Sequence, residues 1–483
     1  MMDVLPVLLA LAVLMYLAFR GVTLLVLAPT TALLAATTSG TLPLLGAYTQ
    51  IFMAAAGGFI VDFFPLFLLG AVFGKFMDDS GCAEAIAKGV IALLGAERAI
   101  LAVVLCCAVL TYGGVSLFVV AFAILPIATS LFRGAGIPKR LIPGTIALGA
   151  FTFTMSALPG SPAIQNAIPM PYFGTTAFAA PGLGMIAAAI MLVLGTWWLT
   201  SRSARAAATG EGYGAHTNAV PLIDTGLREH AQGEGFDIAE LQGPKLERAL
   251  PSGGLAIAPI AIVVVVNLGF LALVVPHLDT AFLKLPLFGE TRIEAVRGLW
   301  AVIVALSVAI VFLIATNRTR LTDIKASLNA GADASVLPIF NTASLVGFGA
   351  VVAALPAFAT ISTAMLDLGG GNPLVSVAVS VATLSALTGS ASGGMSIALD
   401  ALGESFVALA GATGTSLEVM HRVTAVAAGA LDALPHNGAV ITVLAISGLG
   451  HQDSYLDVFV VAVVVPMIAL LALIGLAGTL GAF

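Results

Sequence analysis

The chain has 483 residues, of which 59% are hydrophobic and only 9% charged, and its mean hydropathy is +1.09. A soluble globular chain carries about 25% charged residues, so this composition belongs to a polytopic membrane protein. The net charge of -6 rests on few side chains, most of them in loops, and no basic stripe interleaved with aromatics supports nucleic-acid binding.

Apolar segments at about 4–19, 22–38 and 59–77 read as the first membrane helices. The first has no basic stretch before it and another apolar run follows at once, so it reads as a helix and not as a cleaved signal. Residues 78–96 mix Asp78, Asp79, Glu84 and Lys88 with apolar residues, the pattern of an amphipathic helix at the membrane surface. Residues 98–132 are apolar but broken at Thr111-Tyr112-Gly113-Gly114, which fits either two spans or one re-entrant hairpin. Cys82, Cys106 and Cys107 have neither disulfide nor metal-ligand spacing. A span at 141–168 is broken at 158–162, and 185–200 closes the first half. Residues 201–252 carry five basic and seven acidic residues, with His216 and His230, and read as a solvated linker without chemistry.

The second half runs in the same order. Apolar segments at about 255–275, 296–316 and 334–355 precede a stretch at 373–399 interrupted at 388–394, a span at 423–447 broken at 434–438, and a last span at 457–480. Pro65 matches Pro338, Thr111 matches Thr388 and Pro159 matches Pro435, at offsets of 273, 277 and 276 residues. Three matches in order at nearly one offset point to duplication. The predicted units are a first inverted repeat at 1–200, the linker at 201–252 and a second inverted repeat at 253–483.

Charge sets the relative orientation. Arg133, Lys139 and Arg140 follow the first interrupted stretch with no acid, so that loop is expected in the cytoplasm. At the matching place stand Asp400, Glu404 and Glu418 with Arg422 and His421, a second loop free to lie outside. One threading also puts Arg20, Lys75, Arg202, Arg205, Arg318, Arg320 and Lys325 in the cytoplasm, provided both interrupted stretches are re-entrant hairpins. The predicted fold is therefore all-α: two inverted repeats, about ten spans plus two hairpins with discontinuous helices, and both termini outside.

Four polar breaks stand inside apolar segments, at 111–116, 156–166, 388–396 and 432–442. Non-helical backbone at membrane depth is tolerated only where protein buries it or water reaches it. Free amides at half-helix starts suit a carboxylate, and such a site needs no arginine; none lies at these breaks in the linear sequence. The candidate substrate-binding residues are Thr111, Gly113, Gly114, Ser116, Ser156, Gly160, Ser161, Gln165, Asn166, Thr388, Ser390, Ser392, Gly393 and Asn437. The alternative for any single break is a kink with small residues for helix packing. Asp432 and His436, four apart at the second Leu-Pro break, are the candidate proton-coupling groups, because ionisable side chains inside a membrane are costly. Asp62 and Asp333, near the starts of spans, are weaker candidates. The chain offers no metal-ligand cluster and no nucleophile–base pair, which argues against an enzyme and against a cofactor.

The segments Leu-Thr-Gly-Ser-Ala-Ser-Gly-Gly-Met at 387–395 and Leu-Asp-Ala-Leu-Pro-His-Asn-Gly-Ala-Val at 431–440 resemble the gluconate permease (GntP) family of the ion-transporter superfamily, most of all its 3-hydroxybutyrate permease branch. The resemblance covers nearly the whole chain except the linker. It implies proton-coupled symport of a small hydroxy-monocarboxylate, an organic anion, across a bacterial inner membrane. It also implies a homodimer in which a transport domain slides, elevator-like, against a scaffold. Related sodium-coupled carriers use Ser-Asn-Thr hairpin tips; this chain has Thr111-Tyr112-Gly113-Gly114 and Thr388-Gly389-Ser390 instead, so the proton is the expected coupling ion and sodium the open alternative. A sugar-acid permease and, from another class, an anion channel are the rival functions.

Overall fold

The computed structural model describes residues 4–20, 22–115, 117–214 and 249–480. Ser116, His216 and His230 lie outside the described residues. Helices and turns account for the described chain, with no strand among them. Helices satisfy their own amides, which is what crossing hydrocarbon demands.

The first half holds α1 (Leu5–Phe19), α2 (Leu24–Ser39), α3 (Met53–Asp79), α4 (Cys82–Leu94), the hairpin of α5 (Ala99–Tyr112) and α6 (Leu117–Gly134), α7 (Ile142–Ala150) and α8 (Pro181–Ala208). The second holds α9 (Gly253–Gly269), α10 (Ile293–Thr316), α11 (Ile324–Ala353), α12 (Ala357–Asp367), the hairpin of α13 (Pro373–Thr388) and α14 (Ala391–Thr413), α15 (Leu417–Ala428), α16 (Gly438–Ile446) and α17 (His451–Phe459), which continues through Val460–Val464 into α18 (Val465–Leu480). Among the described residues, seven helices are long and apolar enough to cross a bilayer, and five shorter ones are apolar. Counting each Pro-broken stretch as one crossing, each half has five crossings and one hairpin: α1, α2, α3, 142–173 and α8, then α9, α10, α11, 417–446 and α17–α18.

Both interrupted stretches fold as helical hairpins, and α14, at 23 residues, is itself long and apolar enough to cross. At 14 residues α5 spans about 21 Å, short of the roughly 30 Å of hydrocarbon. Its partner α6 turns back after a tip that includes 113–115. In the second hairpin the legs touch so closely that a Cβ on Gly394 would lie 2.2 Å from the Ser385 amide nitrogen. The two Pro-bearing helices α3 and α11 run antiparallel: Gly331 meets Val72 near one end, and Gly347 meets Phe52, just before α3, at the other. An inverted duplication requires that relation, and glycines allow the close approach.

Three expectations need correction. The membrane helix predicted at 59–77 is part of a continuous apolar helix from Leu44 to Asp79, because its N-terminal extension, including Tyr48, Thr49 and Gln50, stays helical through a wide turn at Ala47–Phe52. The polar segment does not begin at 201: α8 carries Arg202 and Arg205 on to Ala208, since Ala and Arg are strong helix formers. The charges counted as a second loop are helical, with Asp400 and Glu404 in α14 and Glu418, His421 and Arg422 in α15. Only 414–416 separates those helices, so part of the charge contrast between the halves lies on helices and not in a loop.

At one end of the bundle an ion network joins distant elements. The fully buried Asp457 accepts from Arg140 at 3.1 Å, from Arg202 at 2.9 Å and from Trp198 Nε1 at 3.0 Å. Arg140 also makes a two-bond fork to Glu211 at 2.7 and 2.9 Å, and that contact holds its pKa above the ordinary value.

Candidate functional site

A cavity of about 280 Å³ lies where the four breaks meet. Thr111, Gly114 and Val115 reach it from the first hairpin tip, and Ser390, Ala391 and Ser392 from the second. The first Leu-Pro break contributes Pro162, Ala163, Ile164 and Gln165, and the second contributes Asp432, Ala433 and Asn437. The long helices α3 and α11 complete the wall and carry it out to Lys75 and Asp78.

Each hairpin tip is bonded to the break of its own half. Tyr112 donates its hydroxyl to Pro159 O at 2.8 Å, and Asn437 Nδ2 donates to Gly389 O at 2.6 Å. Asn437 also caps α16, its Oδ1 accepting from Val440 N at 2.9 Å. Ser390 caps α14 by accepting from Gly393 N at 3.2 Å. The positive ends of α14 and α16 thus start at the cavity wall, each equivalent to about half a charge. Gly389 ends α13 at φ +64°, a left-handed turn that also leaves room for His436. Asn437→Ala removes the cap and the cross-link together and is expected to lower stability by about 1–3 kcal/mol. Thermal unfolding of the purified protein measures this, and an unchanged melting temperature contradicts both roles.

At the cavity, Thr111 Oγ1 and Asp432 Oδ1 are buried with no hydrogen-bond partner. Asp432 is 7% exposed. Buried polar groups are nearly always satisfied, so orphans that face a cavity mark where a ligand or proton would bind.

The predicted residues sort into two shells. Thr111, Gly114, Gln165, Ser390, Ser392, Asp432 and Asn437 line the cavity. Gly113 packs on Ile260, Thr388 donates to Leu384 O at 2.8 Å, and Gly393 lies against Leu345, all beside the tips but off the cavity surface. His436 sits against Gly389 with its Nε2 buried and unpartnered, so Asp432 Oδ1 and His436 Nε2 do not bond each other. Ser156, Gly160, Ser161 and Asn166 stand behind the wall. Ser156 donates to Thr152 O at 3.2 Å, Gly160 (φ +80°) donates its amide to Ala177 O, and Ser161 Oγ accepts from Ala163 N at 3.2 Å. Asn166 is fully engaged. Its Nδ2 donates to Ser161 O and Ala177 O, and its Oδ1 faces Arg422 Nη1 at 3.0 Å and His421 Nε2 at 3.3 Å. That leaves no amide atom for a ligand.

Residue-by-residue reading missed Ser335, Asn341 and Thr342 of α11 and the Lys75–Asp78 end of α3. The signal was there, since Asn341-Thr342 is a polar pair inside an apolar run, but it carries no Gly or Pro. The larger surprise is Arg422. An arginine does serve these breaks: it is 0% exposed and bonds the first one from 266 residues away.

A protein described as the uncharacterized transporter YxjC, from Bacillus subtilis (strain 168), is 43% identical over 469 residues, covering 96% of this chain and 96% of the relative. The chain belongs to the YxjC transporter family. No family model matches it. The crystal structure of the Alcanivorax borkumensis YdaH transporter, described as having an unusual topology, superposes with a TM-score of 0.55 over 88% of each chain at 14% identity, which speaks to fold alone. This member of the YxjC family is accordingly a multi-pass membrane transporter and not an enzyme. Among the described residues no group of His, Cys, Asp and Glu is placed to hold a metal ion.

Proposed function

We propose that this transporter is a secondary carrier of small hydroxy-monocarboxylates, driven by protons through Asp432, in a bacterial inner membrane. The observation that carries this is the convergence of both hairpin tips and both Leu-Pro breaks on one cavity whose Asp432 has an unpartnered buried oxygen. Helix starts at Ser390 and Asn437 suit the carboxylate, and Thr111, Ser392 and Gln165 are placed for the hydroxyl. Proton binding at Asp432 removes a negative charge from the same cavity, which favours loading of anion and proton together.

The wall also favours a short substrate. Leu66, Phe67, Phe151, Met155 and Leu345 give it wide apolar patches that a polyhydroxylated sugar acid would leave poorly matched. The cavity lining runs from the tips to Lys75 and Asp78 and includes nothing from the Met53 end of α3 or the Ala353 end of α11. Access from one face supports a carrier over an anion channel. The positive-inside rule places that face in the cytoplasm, with Lys75 near it. Competition of proton-driven uptake in vesicles tests the substrate class. 3-Hydroxybutyrate and lactate are expected to compete well and gluconate and citrate poorly; the reverse order contradicts the proposal.

A further inference from the structure

Arg422 lies at the middle of α15 and is completely buried. Its guanidinium makes five hydrogen bonds: Nε and Nη2 to Ala179 O at 3.1 and 2.9 Å, Nη2 to Ala177 O at 3.4 Å, Nη1 to Ser156 O at 3.0 Å and Nη1 to Asn166 Oδ1 at 3.0 Å. Every acceptor is neutral. Among the described residues no carboxylate forms an ion pair with it, in contrast to Arg140 and Arg202, which share Asp457. A charge buried in the protein without a counter-charge is costly and calls for a partner. Room for the group is built in, since a Cβ on Gly184 would stand 3.1 Å from its Nε.

What Arg422 holds is the back of the cavity wall. Ser156, Ala177 and Ala179 bracket the first break, and Asn166 follows directly on Gln165, which lines the cavity with Pro162, Ala163 and Ile164. The neighbouring His421 fits the same frame: because Asn166 Oδ1 is an acceptor, its Nε2 is the donor, and its Nδ1 shares a hydrogen bond with Thr175 Oγ1 at 2.6 Å. The guanidinium, charged at any ordinary pH, is the permanent cation of the cluster.

Resting on the anion-carrier reading, we propose that Arg422 is a positioning and charge-selecting residue: from behind the first Leu-Pro break it supplies a fixed positive charge that raises the affinity of the whole cavity for an anion, while its fork keeps that break in shape. It does not touch the substrate. It stands at the first break, with Asp432 at the second, so the cavity lies between two breaks of opposite charge.

The experiment uses the full chain in proteoliposomes and compares Arg422→Gln and Arg422→Lys with the unaltered protein, reading KM and kcat for 3-hydroxybutyrate together with the melting temperature in detergent. Arg422→Gln is expected to raise KM about tenfold with a smaller change in kcat, the effect of one charge acting across several ångströms of low-dielectric wall. Arg422→Lys, which keeps the charge and loses the fork, is expected to recover most of that KM. Equal impairment of both variants, or an unchanged KM in Arg422→Gln, overturns the proposal. If Arg422→Gln does not fold, Asn166→Asp puts a carboxylate beside the guanidinium and neutralises it in place; a raised KM supports the charge role and an unaltered KM overturns it. Failure of the unaltered protein to take up 3-hydroxybutyrate, lactate or gluconate overturns the anion reading and this one together, whereas uptake that ignores the variants overturns this one alone.

Discussion

Asp432→Asn is expected to abolish the response of uptake to a proton gradient and to lower proton-driven uptake by about tenfold to a hundredfold. The magnitude follows from what the carboxyl does. Hydrogen bonds to charged groups are worth about 1.5–3 kcal/mol, and each 1.4 kcal/mol is a factor of ten. Asp432 Oδ1 has no partner in the protein, so the group is held ready for something that arrives, and the amide cannot take up and release a proton there. The substitution is nearly isosteric, so packing against Ala433 and the α16 cap should survive. Uptake into vesicles at a fixed substrate concentration, with and without an imposed pH gradient, checks this. A variant that still responds to the gradient moves the proton site elsewhere, with the unpartnered His436 Nε2 the next group to test.

The second large effect is on stability. Asp457→Asn is expected to lower the stability of the assembled fold by about 2–3 kcal/mol. Removing one partner of a buried pair costs up to about 5 kcal/mol when the remaining charge is sealed from water. Here Arg140 keeps its fork to Glu211, and the Arg140 and Arg202 side chains remain 19% and 25% exposed, so solvent offsets part of the loss. Arg202→Gln should cost less, because Asp457 still pairs with Arg140 and Trp198. Thermal unfolding of both variants ranks them, and equal stability of Asp457→Asn and the unaltered protein would show that the network does not hold α8 to α17.

Much of the architecture was legible because each signal was local. Apolar length marks a span, a Gly- and Pro-bearing polar interruption marks a break, and the shared spacing of Pro65, Thr111 and Pro159 with Pro338, Thr388 and Pro435 marks the duplication. The cavity residues at the breaks were legible for the same reason: Thr111, Ser390, Asp432 and Asn437 are polar groups where a helix must stop. What escaped is non-local. Arg422 follows a polar stretch in the linear order and reads as a loop cation, yet its acceptors Ser156, Ala177 and Ala179 are more than 240 residues away. Asn166 looks like a substrate ligand beside Gln165, but one side chain turns to the cavity and its neighbour to Arg422, which is decided by the short turn at Ile164–Ala167. Asn341 and Thr342 sit in an unbroken helix, where a polar pair also fits an interhelical bond.

Counterflow is the most direct measurement of whether the four breaks form a carrier site. Proteoliposomes loaded with unlabelled 3-hydroxybutyrate are diluted into a trace of labelled substrate without any ion gradient. A carrier with one cavity open to one face at a time predicts a transient overshoot of internal label, strongest with substrate inside and absent in empty vesicles. Label that rises at the same rate in loaded and empty vesicles, with no overshoot, contradicts it and points to a channel.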